Sequence, residues 1–470
     1  MKIIFFLLII VLISVSFILS RKLKDGTDFL VPKGGIPYII VAFTMAATQF
    51  GSSMMIGGVQ QAQQQAIGEG FWPAAYTILA ASASCFINML VAPRFRKFGD
   101  SVTPPDFIET RYGRSRFMRG YHSVVYICSI TAVLVSQFVG FAGMGVAVGF
   151  SYEFSIVLCA AVVFLLSVGS GMLGVAVTDM IQYAMILILL FVSMFFTTDV
   201  LAEHGISFVE VISSPFFPND GLVDKFFYTA WPMLIGNLFS YEYFMRFMSC
   251  KGVKEARKAS ATAGIVLALT AIPVALIGEI ANRFYQDASS ESVFGLVVTQ
   301  ELPPVVSMLL ILTVLMAVLT SADSLLTSIS GMVSRDIYGG LFHYGKPAEE
   351  VPHTRRVAKI TMGVVTAIAA VFALYFNQIL QITFFFSPLT SGTMFAPMII
   401  GLFWKGASQR GAIISVICGA ASGLLHVTGV ITLFDRVAGP ALIGTIAIVV
   451  FSLLFPDRER LDADRFTARG

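Results

Sequence analysis

Charged residues are scarce in this chain of 470 amino acids, and long apolar runs take their place. Asp, Glu, Lys and Arg together make up 13% of the sequence, whereas hydrophobic residues make up 56%. This composition excludes an ordinary soluble domain and is typical of a polytopic membrane protein. Because many apolar runs exceed the ~18 residues that a membrane-spanning helix needs, we predict an all-α bundle and not a barrel.

Cysteine and histidine are also rare, with five residues of each. The cysteines show neither a CxxC pair nor the spacing of a metal site, so no disulfide framework and no transition-metal centre is expected. No arrangement of nucleophile and base indicates an enzyme. The net charge of +3 gives no reason to expect a nucleic-acid partner, and no cofactor is expected.

Thirteen apolar runs are predicted to cross the membrane, which makes the fold class an all-α polytopic membrane protein. Lys2 precedes the first run as in a signal peptide, but no small-residue cleavage site follows, so we expect a retained helix. The predicted spans are residues 3–20, 36–66, 71–93, 117–150, 152–170, 173–198, 226–248, 258–284, 304–336, 355–378, 380–404, 409–431 and 437–455.

The basic residues predict the orientation of these spans. All but four of the 31 Lys and Arg residues fall in alternate loops, the exceptions being Lys2, Lys225, Arg283 and Arg436. Because Lys and Arg accumulate on the cytoplasmic side, we expect the N-terminus outside and the C-terminus inside, in the cell (inner) membrane. An odd number of spans agrees with termini on opposite faces.

One apolar segment, Met316–Tyr338, carries hydroxyls and a carboxylate at helical spacing. Polar groups at membrane depth are costly in lipid, so they should face protein, water or an ion. Their oxygens are ligands that hard cations prefer. For a single hydroxyl, helix packing or a bond to its own backbone is the alternative. The hydroxyls that share one broad helix face are Thr320, Ser321, Ser324, Thr327 and Ser328, with Asp323 in the same turn.

Two of the predicted spans contain an interruption. Ala46–Ser53 breaks the second span with Gly and Ser, and Trp231-Pro232 with Gly236-Asn237 breaks the seventh. Unwound backbone frees carbonyl oxygens, which the membrane tolerates only where they line a cavity or hold an ion. Because the two breaks lie five helices apart, as in transporters built from inverted repeats, we expect spans 2–6 and 7–11 to be such repeats.

Four spaced motifs resemble those of the sodium:solute symporter family: Ala47–Ser53, Pro93–Gly113, Ser170–Gln182 and Thr320–Tyr338. The third departs from the family pattern GG-x-x-A-V-x-x-T-D-x-x-Q only by exchanging small residues, with Ser170 for the first Gly and Gly174 for the Ala. The resemblance implies a LeuT-type five-plus-five inverted repeat with one extra N-terminal and two extra C-terminal helices. The implied divisions are 1–34 (N-terminal helix and loop), 35–405 (transport core, with repeats at about 35–198 and 226–405) and 406–470 (C-terminal helices and tail).

The resemblance also implies a main sodium site. Its ligands would be the backbone carbonyls of Ala47, Phe50 and Ala317 and the hydroxyls of Thr320 and Ser321. This agrees with the interpretation from the residues alone, in which a broken helix supplies carbonyls and a facing helix supplies hydroxyls.

Asp179 resembles a family carboxylate that holds a second ion or lies on the sodium exit path. Its alternative role is that of a helix N-terminal carboxylate favoured by the helix dipole. A second sodium site formed by Asp179, Asp323 and Ser324 is a further hypothesis.

The substrate pocket is expected beside the two breaks. Met54 stands where sugar-carrying members tend to have a polar residue, which argues against a sugar. No Arg or Lys is expected at mid-depth to bind an anionic substrate, although a helix N-terminus remains an alternative. For the run Gln60–Gln65, helix packing and lining of an outer vestibule both stay open. The candidate pocket residues are Ser52, Ser53, Met54, Trp231, Asn237, Tyr241, Thr390 and Ser391.

Together these features predict a secondary active transporter. We expect it to import a small organic solute with sodium by alternating access, and to function as a monomer. The alternatives are a proton-coupled symporter of the same fold and a transporter-like solute sensor.

Overall fold

The computed structural model describes most of the chain. The described residues are 6, 7, 10, 14, 35–98, 101, 103–217, 220–290, 292–346, 350–376, 378–431 and 435–457. The predicted first span, the loop that follows it and the C-terminal tail therefore lie largely outside the described residues.

The described part of the chain is helical, and its only β pairing is an isolated bridge between Ile36 and Cys250. The first ten helices are α1 (Tyr38–Gln49), α2 (Ser52–Gln63), α3 (Phe71–Arg96), α4 (Pro104–Tyr112), α5 (Arg116–Ala147), α6 (Tyr152–Glu203), α7 (Phe208–Ile212), α8 (Asp220–Phe239), α9 (Tyr241–Ser249) and α10 (Val253–Leu269). The longer helices that follow are α11 (Ala271–Phe284), α12 (Val293–Leu296), α13 (Pro304–Gly331), α14 (Thr354–Ala373), α15 (Ile379–Phe384), α16 (Ser387–Phe395), α17 (Gln409–Val427) and α18 (Ala438–Leu454). Short π-helical stretches cover Val297–Glu301 and Ala396–Ile400, and the second continues into a three-residue helix, Gly401–Phe403. Helix α13 continues as π-helix over Met332–Phe342.

Eight helices in the described part are long and apolar enough to cross a membrane, and α1 with α2 forms a ninth, broken span. The chain is thus a polytopic α-helical protein, as predicted. Helix α6 includes both predicted runs, 152–170 and 173–198; within it, Val175–Glu203 is long and apolar enough to cross a membrane, and Tyr152–Val168 is a shorter apolar helix. The count of thirteen spans and the inverted repeat remain predictions.

The first predicted break is confirmed, but the second was placed wrongly. Helices α1 and α2 meet at Phe50–Gly51 with a bend of 44°. In the seventh span, α8 continues through Pro232 to Phe239, and the helix is interrupted only at Ser240. Proline removes a single helical hydrogen bond, which α8 tolerates, whereas the Ser240 hydroxyl starts a new helix by accepting the N–H of Tyr243 at 3.2 Å.

Helix α13 lies at the centre of the molecule. Every residue from Thr313 to Met332 is buried, and the helix packs against α1, α5, α6 and α14. All residues of α2 and α9, the helices that follow the two breaks, are buried as well. The polar groups on these three helices therefore meet other protein groups and not lipid, as their cost in lipid requires.

Candidate ion and solute sites beside two broken helices

The break between α1 and α2 releases the backbone carbonyl of Ala47 from its helical hydrogen bond. In a continuous helix the N–H of Gly51 would bond to the carbonyl of Ala47. Here the Gly51 N–H bonds to Gln49 O at 3.0 Å instead, so the Ala47 carbonyl is left for another donor. That donor is the hydroxyl of Ser321 on α13, at 3.0 Å. The break thus directs a backbone oxygen towards the polar face of α13.

The hydroxyl face of α13 supplies the other predicted sodium ligands. Thr320 donates to the carbonyl of Ala317 at 3.0 Å, and both Thr320 and Ser321 are buried. Two hydrogen bonds thus pair Thr320 with Ala317 and Ser321 with Ala47. Ala47 lies at the end of α1, Phe50 lies within the break itself, and the other three residues belong to α13. Neutral carbonyl and hydroxyl oxygens gathered in this way suit a hard cation.

Gln137 on α5 fixes the break from the opposite side, and the sequence analysis missed it. Its side-chain oxygen accepts the backbone N–H of Ser52 at 2.9 Å, while the Ser52 hydroxyl donates to Ser136 O at 2.8 Å. A Cβ on Gly51 would lie 2.4 Å from the Gln137 oxygen and 2.8 Å from the Ser321 hydroxyl. The only signal in the sequence is the polar pair Ser136-Gln137 within an apolar helix.

A second polar cluster surrounds Asp179. Its carboxylate accepts the hydroxyl of Thr44 at 2.6 Å and that of Ser324 at 3.1 Å. The predicted proximity of Asp179 and Ser324 is thus present. Asp323, the third member of the hypothesised second site, instead accepts the hydroxyl of Ser167 on α6 at 2.6 Å.

Arg246 on α9 completes this cluster, although the sequence analysis assigned it to a cytoplasmic loop. Its guanidinium lies 4.0 Å from the Asp179 carboxylate and donates to Thr48 at 2.5 Å and to Ser324 at 3.1 Å. It is 4% exposed. The expectation that no Arg or Lys at mid-depth binds an anionic substrate stays a prediction. The sequence did not reveal the position of Arg246, because a basic residue in a buried half-helix has the same sequence appearance as one in a loop.

A cavity of about 130 Å³ lies between the two breaks. Its wall comes from α1, α2, α5, α8, α9, α13, α15 and α16, together with Ser240 and Val437. Four predicted pocket residues line it: Ser53, Asn237, Thr390 and Ser391. The polar residues that the sequence analysis missed there are Thr48, Gln49, Tyr126, Ser129, Gln137, Ser240, Glu242, Thr383 and Ser387.

The other four predicted pocket residues do not line this cavity. Ser52 is bonded to Ser136 O, and Met54 is fully buried in the core. Trp231 stacks on Phe227 with ring centroids 5.5 Å apart. Tyr241 donates to Asp336 at 3.4 Å. A position close in sequence to a break does not make a residue line the cavity, because neighbouring residues of a helix face different sides.

Two of the motifs meet in an ion-pair network, which we call the Arg119 cluster: Asp106, Glu109, Arg119, Arg335 and Asp336. The Arg119 guanidinium lies 2.8 Å from Asp106, 2.7 Å from Glu109 and 3.0 Å from Asp336. Arg335 lies 3.1 Å from Asp106. Through the bond from Tyr241 to Asp336, this cluster also holds the first residue of α9.

The glutamine run of α2 bonds neighbouring backbone. Gln60 donates to Ser290 O at 2.8 Å, and Gln63 donates to Tyr285 O and Ala288 O at 2.8 and 2.7 Å. Of the two interpretations left open, the structure supports packing between segments.

Two buried helices that begin at breaks and flank one cavity define the architecture of a secondary transporter. The sequence profile of the sodium:solute symporter family matches residues 29–419, and the chain belongs to this family. Members of this family are transporters and not enzymes.

Known proteins agree with this assignment. The chain is 24% identical over 437 residues to the osmoregulated proline transporter OpuE of Bacillus subtilis (strain 168), covering 89% of this chain and 87% of the relative. It is 25% identical over 433 residues to the human high affinity choline transporter 1, covering 87% and 72%. The outward-open structure of a Na+-coupled sialic acid symporter superimposes with a TM-score of 0.78 at 18% identity, covering 97% and 98%, which shows a shared fold.

Proposed function

We propose that this protein imports a small organic solute together with sodium by alternating access between two sides of the membrane. The observation that supports it best is the Ala47 carbonyl, released by the break and bonded to Ser321 beside the central cavity. The relatives named above are transporters of proline and of choline, so these two solutes are the first to test.

The main sodium site in this proposal consists of Ala47, Phe50, Ala317, Thr320 and Ser321. In the structure, the Ser321 hydroxyl donates a hydrogen bond to the Ala47 carbonyl at 3.0 Å. With sodium, both oxygens would turn to the ion, which would hold α1 against α13. A ligand shifts a conformational equilibrium only through its different affinity for the two states, and this contact between two helices supplies such a difference.

A second sodium ion, or a station on the exit path, is proposed at Asp179 and Ser324, with Asp323 nearby. Asp179 offers a charged oxygen whose partners are two hydroxyls and a guanidinium at 4.0 Å. Whether Asp323 joins this site depends on its release from Ser167.

One sodium ion supplies sufficient driving force for concentrative uptake. A membrane potential of 100 mV contributes about 2.3 kcal/mol per charge, and a tenfold sodium gradient contributes about 1.4 kcal/mol. Together they support a solute gradient of roughly 500-fold, and two ions would roughly square that ratio.

The test is uptake of labelled L-proline and of labelled choline into proteoliposomes that contain the purified protein. Uptake should require sodium outside and should fall to the level of empty liposomes when potassium replaces it at equal ionic strength. Uptake that persists in potassium and collapses without a pH gradient would establish proton coupling, with Asp179 or Asp323 as carrier. Binding without any uptake would indicate a solute sensor.

The remaining expectations belong to the same proposal. The protein would lie in the cell (inner) membrane with its N-terminus outside and its C-terminus inside, act as a monomer and need no cofactor besides sodium as the coupling ion. The charge-neutral ligand set of the main site favours sodium over a proton, since none of its five groups titrates near neutral pH.

A further inference from the structure

One side chain gives the central cavity its charge. Among the described residues that line the cavity, Glu242 is the only one that is acidic or basic. It is 6% exposed and lies in the first turn of α9. A neighbouring cavity shares Pro232, Phe384 and Val437 with this one and adds Arg436, but that arginine is exposed and lines only the second cavity.

The nearby arginine does not form an ion pair with Glu242. The guanidinium of Arg246 reaches Glu242 only through its backbone carbonyl, at 3.1 Å. Its other donors bond to hydroxyls around Asp179, including Thr48 and Ser324. In the described part of the chain, no ion pair within 4.0 Å includes the Glu242 carboxylate. Asp179 and Glu242 thus share a single buried guanidinium, which lies closer to Asp179.

A helix N-terminus alone does not explain this glutamate, because the chain contains a matched second example. Ser151-Tyr152-Glu153 begins α6 with the same three residues as Ser240-Tyr241-Glu242. Each serine hydroxyl accepts the N–H of the residue three positions later, at 3.2 Å. Glu153 is exposed, whereas Glu242 is buried against a cavity. The helix dipole favours both acids, but only Glu242 loses its water, and a buried carboxylate is costly unless a cation compensates it.

The cavity wall offers further groups that favour an organic cation. Tyr126, Phe239 and Phe384 line it together with Glu242. Aromatic rings attract ammonium groups through their faces, most strongly where water is excluded. On the same wall, Gln49 and Ser129 can bond the uncharged polar part of a small solute.

We infer that Glu242 determines solute specificity by binding the positively charged nitrogen of an ammonium-bearing solute. This inference rests on the proposed function, since it assumes that the cavity is the solute site. It limits the substrate class to small quaternary amines and zwitterionic amino acids. Sugars and solutes whose only charge is negative are excluded.

The experiment measures the melting temperature of the purified full-length protein in sodium and in potassium, with four probes titrated in each. Choline and L-proline carry a charged nitrogen. 3,3-Dimethylbutan-1-ol has the shape of choline with carbon in place of that nitrogen, and pantothenate carries only a negative charge. In sodium, choline or L-proline should stabilise the wild type, and the alcohol and pantothenate should not.

Three variants assign the effect to Glu242. Glu242→Gln should lower the affinity for choline and L-proline by at least about 30-fold, because it removes one partner of a buried charge pair. Glu153→Gln, the matched change at the exposed helix start, should bind them as the wild type does. If Glu242→Gln does not fold, Glu242→Asp keeps the charge and should retain the preference for choline over the alcohol with weaker binding.

The outcomes separate this inference from the proposed function. Stabilisation by pantothenate or by the alcohol equal to that by choline would overturn the inference, as would unchanged choline and L-proline binding in Glu242→Gln. A sodium-stabilised protein that neither ammonium probe stabilises would overturn it too. If sodium itself gives no stabilisation over potassium, the proposed sodium coupling fails, whatever the probes show.

Discussion

The two interrupted helices differ in how they break and in what they offer to a ligand. The first breaks at Gly51, where any side chain would meet Gln137 and Ser321. It presents only neutral oxygens. The second breaks at Ser240, a capping residue, and the helix it starts carries the buried charges of Glu242 and Arg246. Neutral oxygens suit a small cation that sheds its water, whereas fixed charge suits recognition of a charged solute.

Arg246 also joins the two breaks physically. It belongs to the helix after the second break and donates to Thr44 and Thr48 of the helix before the first. Movement at one break therefore changes the hydrogen bonds of the other. This link offers a route by which sodium at the first break and solute at the second could affect each other.

Removing that link should have the largest effect. Arg246→Met leaves Asp179 and Glu242 buried without a positive charge, and breaking a buried pair in this way costs about 3–5 kcal/mol. Thermal unfolding of the purified protein measures the loss. The exposed Arg356→Met should cost almost nothing. The double variant Arg246→Met with Asp179→Asn should be more stable than Arg246→Met alone. Equal stability of the two would contradict the pairing.

A methyl group at the first break should have the next largest effect. Gly51→Ala places a Cβ 2.4 Å from the Gln137 oxygen, and overpacking of this kind costs about 1–3 kcal/mol. Because the clash lies against Ser321, sodium affinity should fall roughly tenfold or more. Gly363→Ala within α14 is the control, since its Cβ would meet only Phe164 at 3.6 Å. Equal sodium affinity in both variants would contradict the claim that a Cβ at residue 51 disturbs the sodium site.

Loss of the cap at the second break should have the smallest effect. Ser240→Ala removes the hydroxyl that accepts the N–H of Tyr243, at a cost of about 1 kcal/mol. Ser151→Ala removes the same cap from α6 and should cost a similar amount in thermal unfolding. Only Ser240→Ala should weaken solute binding, and neither should change sodium affinity. A lower sodium affinity in Ser240→Ala would contradict the division of roles in which the first break binds sodium and the second binds solute.

The sequence was sufficient for features that stand out against an apolar background. Polar and helix-breaking residues cost free energy in lipid unless they contact protein, water or an ion. The glycine and serines at Ala46–Ser53 and the hydroxyls of α13 therefore predicted the first break and the helix that faces it. The second break was misplaced because Pro232 and Gly236 are stronger breakers on average than Ser240. Helix α8 accommodates both, and capping decided the position.

The charged residues of α9 were harder to interpret. Arg246 was counted with the loop residues because composition alone does not separate a buried helix end from a loop. Half of the predicted pocket residues line the cavity, since a sequence shows which residues lie near a break but not which side of the helix faces inward. Gln137 needed the structure, because its partner Ser52 lies 85 positions away.

The most direct test of the central claim is a sodium titration of thermal stability in Ser321→Ala, with potassium keeping the ionic strength constant. Ser330→Ala is the matched control, since its hydroxyl bonds only within α13, to Thr327 O at 2.8 Å. A ligand at 100 times its dissociation constant stabilises a protein by about 2.7 kcal/mol. We expect the wild type and Ser330→Ala to gain stability with sodium, and Ser321→Ala to need at least about tenfold more sodium for the same gain. A Ser321→Ala titration that superimposes on that of the wild type would contradict a sodium site between the first break and α13.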